Sequence, residues 1–314
     1  MTARMTTLWL RRLAVASTVA TLLLVAIGGL VRATKSGLGC GTNWPECPGE
    51  VTRALVIELS HRAAAGVVIL LLAGLSIAAY RNRHLYPQLL RPALAAFGLV
   101  LLQAILGAIV VWLELEAESV VLHLATALAL LALLVHLTAK TYAVGGGLEV
   151  PSDREVSRRG AMAAGSVLVL LLVGSYVTGR DAGFVFSDWP LMGGRLVPDL
   201  SVDVYAIHFL HRILAAVVGV VVVLTAIPVM MRRKELPLQA RLSTAAVGFY
   251  AVEVLVGGLN VWTRLNAAAV TIHLALGALI WMSLVGVAVV SRPELARHAS
   301  QPRLRSEPAL EAGG

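Results

Sequence analysis

The chain has 314 residues, of which 58% are hydrophobic and only 14% are charged, and it carries a formal net charge of +8. Water-soluble globular domains have nearer 25% charged residues, so this composition argues against a soluble protein and predicts that the lipid bilayer is the main solvent. The positive charges lie between apolar segments instead of forming one basic patch, which argues against nucleic acid as a partner.

Eight apolar segments approach the roughly 20 residues that a helix needs to cross a bilayer. Because backbone polar groups in lipid must be satisfied within the segment, the sequence predicts an all-α integral membrane protein of eight transmembrane helices. In chain order, the predicted helices cover residues 13–31, 62–80, 92–113, 119–139, 160–179, 206–231, 242–263 and 267–291. The first segment is longer than the apolar core of a usual signal peptide, so we expect it to be retained.

Lysine and arginine concentrate at the N-terminus, in the connections after the second, fourth and sixth helices, and in the polar tail. The positive-inside rule therefore predicts a cell-membrane protein with both termini cytoplasmic. The first outer loop, residues 32–60, then faces an oxidising compartment. It contains Cys40 and Cys47, and we expect a disulfide there, permanent or redox-active, in preference to two free thiols.

The second half of the sequence repeats the first at a constant offset of 150 residues from the second helix onward. Four helices return the chain to the same side of the membrane, so the two copies should share one orientation about an axis along the membrane normal. We expect two tandem four-helix bundles, residues 1–145 and 146–292, followed by a cytoplasmic tail, 293–314, that is polar and disordered. The recurring residues are His61-Arg62 with His211-Arg212, His123 with His273, Gly107 with Gly257, and Trp112 with Trp262.

The copies differ in their first loops and around the first histidine. The dipeptide Trp44-Pro45 recurs at an offset of 145, but Phe186 and Met192 stand where the first copy has its cysteines. Glu58 lies three residues before the first histidine, on the same helical face if the helix extends back that far. His208 occupies the matching position in the second copy, as a polar neighbour or an alternative ligand.

Four histidines are predicted to lie in spanning helices at one depth near the outer face, in two matched pairs. Ionisable side chains in the bilayer are usually functional, and imidazole is a common axial ligand of heme. Zinc would need three or four ligands, so pairs favour iron already held by a porphyrin. Arg62 and Arg212 could pair with heme propionates or anchor the outer interface. The pairs are His61 with His123, and His211 with His273.

Two further polar residues in the spanning segments receive a structural interpretation. His136 has no counterpart in the second half, where Gly286 stands. Glu253 lies in the middle of the seventh helix and corresponds to Gln103. We expect Glu253 to be protonated and structural, opposite a partner that the sequence does not identify.

Several motifs together resemble the heme A synthase family over about residues 13–290. The motifs are Gly28-Gly29-Leu30-Val31-Arg32, the Cys-x6-Cys loop around Trp44-Pro45, Glu58-x-x-His61-Arg62, and the remaining ligands His123, His211 and His273. The resemblance implies an oxidoreductase that converts a ring methyl of heme O to a formyl group, giving heme A for terminal oxidases. It also implies a heme O synthase (farnesyltransferase) as partner and an electron acceptor of unspecified identity.

The same resemblance implies a division of labour between the halves. His61 and His123 would hold the substrate heme, with Glu58 taking part in catalysis. The histidine pair of the second half would bind a resident heme b. Two other functions also fit parts of the sequence: a diheme b-type electron-transfer protein linked to quinol, and a transporter with parallel repeats. The first does not explain why Glu58 and the cysteines occur in one half only, and the second does not need matched histidines.

Overall fold

The computed structural model describes residues 3–145 and 150–295, with side chains from residue 5 onward. These residues form eight long α-helices and a short 3₁₀ helix at Ala182–Phe184, and no strand occurs among them. The predicted tail lies outside the described residues from position 296. The helices are α1 (Ala3–Ala33), α2 (Arg53–Arg81), α3 (Pro87–Trp112), α4 (Ala117–Val144), α5 (Arg154–Gly179), α6 (Asp203–Met231), α7 (Pro237–Trp262) and α8 (Ala267–Val290).

All eight helices are long and apolar enough to cross a membrane. Their hydrophobic side chains face outward as well as inward, as expected where lipid and not water surrounds the bundle. The prediction of an all-α, multi-pass membrane protein is therefore confirmed for the described part of the chain.

Most helices begin earlier than the predicted apolar segments, because charged and polar residues interrupt the apolar run near their N-terminal ends. Thr52 caps α2 by accepting a hydrogen bond from the main-chain N–H of Leu55, and Asp153 caps α5 in the same way. Proline occupies the first turn of α3 and of α7, where no N–H is needed. As a consequence, His61, which directly precedes the predicted second helix (62–80), lies in the third turn of α2, which begins at Arg53.

The same helix pairs pack together in each half. In the first half α1 contacts α2 and α4, while α3 contacts α2 and α4; the second half repeats these contacts with α5 to α8. Between the halves, α1 contacts α8, α4 contacts α5, and α4 contacts α8. Two hydrogen bonds also join the halves: Arg32 on α1 donates to the carbonyl of Thr178 on α5, and the indole of Trp281 on α8 donates to the carbonyl of Leu128 on α4. Helices α1, α4, α5 and α8 thus form the centre, and the pairing pattern supports a two-fold relation between the halves.

Candidate functional site

Each half brings its two predicted ligand histidines together across the bundle. His61 on α2 and His123 on α4 lie close enough to interact electrostatically, and the same holds for His211 on α6 and His273 on α8. In all four rings Nδ1 is buried and makes no hydrogen bond within the described residues. Nε2 is therefore the nitrogen available to a ligand in each case. No group of three or more potential metal ligands occurs among those residues, so the pairs suit iron carried by a porphyrin.

A glycine backs each of the four rings. A Cβ atom added at any of these glycines would lie 3.0 to 3.4 Å from a ring carbon of the facing histidine. The absence of a side chain lets the neighbouring helix approach and fixes the plane of the ring. These glycine contacts therefore fit four histidines that act as heme ligands with their rings held in set orientations. The facing pairs are Gly28 with His61, Gly107 with His123, Gly174 with His211, and Gly257 with His273. Gly174 carried no signal in the sequence beyond its residue type.

Glu58 connects helix α2 to the outer loop above it. The residue is 4% exposed. One carboxylate oxygen accepts a 2.8 Å hydrogen bond from the N–H of Cys40, and the other accepts a 2.6 Å hydrogen bond from Arg62. A buried carboxylate is stable when it is paired in this way. Glu58 thus lies on α2 at the turn before His61, held on both oxygens.

Arg62 extends this connection along the loop. Its guanidinium also donates to three loop carbonyls at 3.1 to 3.2 Å, those of Asn43, Pro45 and Glu46. Its described contacts thus hold the loop; the pairing of Arg62 with a propionate stays a prediction. The loop also contains the expected disulfide, in which the Cα atoms of Cys40 and Cys47 lie 4.6 Å apart.

The second half has the same anchor built from different groups. Arg212 donates to the carbonyls of Asp188, Pro190 and Leu191, at 2.8 to 3.3 Å. Its Nε donates to Nε2 of His208 at 2.7 Å, while Nδ1 of His208 donates to the carbonyl of Ala182, also at 2.7 Å. Both ring nitrogens of His208 are therefore engaged, and neither is left for iron. Pairing of Arg212 with a propionate is likewise a prediction.

The second loop is held together without thiols. The carboxylate of Asp188 accepts hydrogen bonds from the N–H groups of Gly193 and Gly194, at 2.8 and 2.7 Å. These backbone hydrogen bonds lower the pKa of Asp188. Both glycines have positive φ angles, 63° and 74°, which glycine adopts without strain. A bridge between Met192 and Arg195 closes the same turn.

Corresponding pairs of tryptophans pack the two outer loops against the helix bundle. Trp44 packs edge-to-face on Trp112, with ring centroids 6.3 Å apart, and Trp189 packs on Trp262 at 5.6 Å. The peptide bonds Trp44-Pro45 and Trp189-Pro190 are both cis. The repeat detected in the sequence therefore extends to the fold of the loops.

Glu253 has a partner that the sequence did not reveal. Its Oε1 lies 3.2 Å from Nδ1 of His273. The corresponding Gln103 instead donates to the carbonyl of His123 and to the hydroxyl of Thr126. The two halves thus differ at the second ligand histidine: a carboxylate faces the ring of His273, whereas the amide of Gln103 binds the main chain of His123.

Comparison with known proteins gives matches over most of the chain. The family model described as cytochrome oxidase assembly protein (COX15-CtaA) matches residues 11–55 and 51–285. Heme A synthases from Staphylococcus aureus strains JH9 and Newman are 26% identical to this chain over 269 residues, which cover 81% of this chain and 87% of each relative.

Proposed function

Because the chain belongs to the COX15-CtaA family of cytochrome oxidase assembly proteins, we propose that it is a heme A synthase, an oxidoreductase that converts a ring methyl of heme O to the formyl group of heme A. One observation carries this proposal. Both halves have a glycine-backed histidine pair, but only the first adds a buried carboxylate one turn before its first histidine, Glu58, and a disulfide on the adjacent loop. A protein that only passes electrons between two hemes would need neither addition.

The first half is the proposed substrate site. His61 and His123 would hold the iron of heme O, with their rings set by Gly28 and Gly107. Conversion of a methyl group to an aldehyde with the oxygen of water releases four electrons and four protons. Two axial histidines leave no open position on the iron for oxygen. Either one histidine detaches, or electrons leave first and water attacks the resulting cation.

Glu58 would assist that second route. A carboxylate can take a proton from the attacking water or stabilise the developing positive charge. The hydrogen bonds from Cys40 and Arg62 fix its orientation at the turn of α2 before His61. They also mean that any change at Glu58 affects the loop, so its test needs a control for loop anchoring.

The second half is the proposed site of a resident heme b, held by His211 and His273 against Gly174 and Gly257. When bound, this heme supplies a one-electron redox centre between the substrate and an external electron acceptor. The absence from this half of a carboxylate matching Glu58, and of a thiol pair, supports the assignment, because electron transfer requires neither.

We further propose that the protein lies in the cell membrane with both termini cytoplasmic, as the lysine and arginine distribution favours. The loops that cover the histidine pairs would then face outward. Heme O would arrive through the bilayer from a heme O synthase, which we propose as the partner that supplies the substrate.

Analysis of the bound pigments tests the function. The protein would be purified after expression with and without a heme O synthase, and its hemes extracted in acid and separated by chromatography. We expect heme b in both preparations, and heme A together with heme O only when heme O is supplied. Heme b alone under both conditions would identify a b-type electron-transfer protein, and a heme-free preparation would favour a transporter.

A further inference from the structure

One of the four predicted ligand histidines has an acidic neighbour. Oε1 of Glu253 on α7 lies 3.2 Å from Nδ1 of His273, whereas no carboxylate of the described residues pairs with the ring of His61, His123 or His211. The side chain of Glu253 is only 14% exposed, and its Oε2 is buried without a hydrogen bond in the described part of the chain. An acid at such a site in a membrane is costly and calls for a functional reason.

The first half shows what the same position does without an acid. Gln103 turns its amide toward α4, where it donates to the main-chain carbonyl of His123 and to Thr126. Gln103 thus links α3 to α4 through the main chain of His123 and the side chain of Thr126, and not through the imidazole of His123. Helix packing between α7 and α8 therefore does not require a carboxylate at position 253, since an amide serves the matching contact in the first half.

Leu171 and Gly277 pack beside the carboxylate of Glu253. Gly277 lies one turn after His273 on α8, at the position that Ala127 occupies in the first half. A Cβ atom at Gly277 would lie 3.4 Å from Oε1 of Glu253 and would overlap the side chain of Leu171. The glycine thus lets Leu171 of α5 pack closely against α8 next to the carboxylate.

We propose that Glu253 is a positioning residue for His273. Its Oε1 would accept a hydrogen bond from Nδ1–H of the imidazole, which fixes the tautomer whose Nε2 is free to bind the iron of the second-half heme. In this structure the two atoms do not form a hydrogen bond, but they already lie at hydrogen-bond distance, 3.2 Å. A carboxylate on the outer nitrogen of a ligating histidine makes that histidine a stronger donor to the metal. His273 is then the stronger of the two axial ligands, and the oxidised state of the heme is favoured.

This inference rests on the proposed function, because it requires a heme on His273. Its test begins with the parental protein, in which a heme signal that depends on His273 must be present. Loss of that premise would overturn the proposed function and this inference together. If the premise holds, the variants below decide on Glu253 alone.

The variants are Glu253→Gln, which has the same size, and Glu253→Ala, with Gln103→Ala as the matched change in the first half. Redox titration and electron paramagnetic resonance of the retained heme are the readouts. In Glu253→Gln we expect unchanged heme content, a midpoint potential shifted to more positive values and altered ferric g-values. In Glu253→Ala we expect the same shifts, with carbon monoxide binding to the reduced heme as His273 becomes easier to displace. Gln103→Ala should leave the potential of this heme unchanged.

The role of Glu253 would be refuted if both of its variants kept the parental potential, g-values and resistance to carbon monoxide. It would be refuted as well if Gln103→Ala produced the same shifts, because the effect would then report general loosening of the bundle. Heme retention and thermal unfolding of Glu253→Gln show whether the fold is intact when these values are read.

Discussion

The two outer loops hold the same position by different chemistry. In the first, a disulfide joins Cys40 and Cys47, and Glu58 binds the N–H of Cys40. In the second, Asp188 binds two backbone N–H groups, and His208 stands in the place of Glu58. In both loops, main-chain carbonyls accept hydrogen bonds from an arginine that lies one helical turn after Glu58 or His208. The tryptophan of a Trp-Pro dipeptide also packs each loop on the helix bundle.

The comparison separates the features that both halves share from those found in the first half only. The arginine anchor, the tryptophan contact and the glycine-backed histidines occur in both halves and are sufficient to build a covered histidine pair. Since the second loop reaches this structure without thiols or a carboxylate at position 208, loop folding alone does not account for Glu58 and the cysteines of the first. Those residues are the ones to which a reaction confined to the first half should be sensitive.

The largest effect is expected from Glu58→Gln. The amide keeps the size of the side chain and can still accept the N–H of Cys40, but it removes the charge. Heme A formation should fall by roughly 100- to 10,000-fold, the usual contribution of a general acid or base. Heme O or a hydroxylated intermediate should remain bound, as measured by chromatography of extracted hemes.

His208→Gln is the matched control for Glu58→Gln. It makes the corresponding change to the anchor in the second half, where an amide can still accept from Arg212. We expect heme A formation to stay within a few-fold of the parental rate. Equal rates in Glu58→Gln and the parental protein would remove the catalytic role from Glu58, whereas equal losses in both variants would reduce it to loop anchoring.

The second prediction concerns the division between the hemes. His273→Met should alter the spectrum of the resident heme b and raise its midpoint potential, because replacing one imidazole by a thioether favours the reduced iron. The same change at His123 should instead affect heme O binding. A heme b signal that is unaffected by His273→Met but lost in His123→Met would reverse the assignment of the two halves.

The third prediction concerns the disulfide. Replacing Cys40 and Cys47 by serine should lower the free energy of unfolding by about 2–3 kcal/mol, the cost of releasing a short closed loop. If the pair is redox-active, heme A formation should fall more than the bound heme does. A double variant that is less stable but converts heme O at the parental rate per bound heme would show that the disulfide is structural.

The sequence was sufficient for the features that depend on local pattern. Apolar length predicted the eight helices, and the constant offset predicted which histidines correspond. The contacts of Glu58 with Cys40 and of Glu253 with His273 could not be predicted, because they join residues 18 and 20 positions apart whose approach depends on how a loop folds and how two helices pack. The early start of α2 was missed because apolar length does not detect a cap such as Thr52.

The smallest effect is expected from Asp188, and it concerns the pH dependence of the second loop. Backbone hydrogen bonds from Gly194 and Gly193 lower the pKa of Asp188 in the folded protein. This stabilisation is therefore present above the pKa of an unfolded aspartate, about 3.9, and is lost as the pH falls through the lower folded value. Amide hydrogen exchange of residues 188–195 should accelerate in that range beyond the intrinsic effect of pH.

Asp188→Asn should abolish the additional step, because its amide cannot gain a proton there. A parental loop whose protection does not change below pH 4 would mean that the Met192–Arg195 bridge and Arg212 hold it without Asp188.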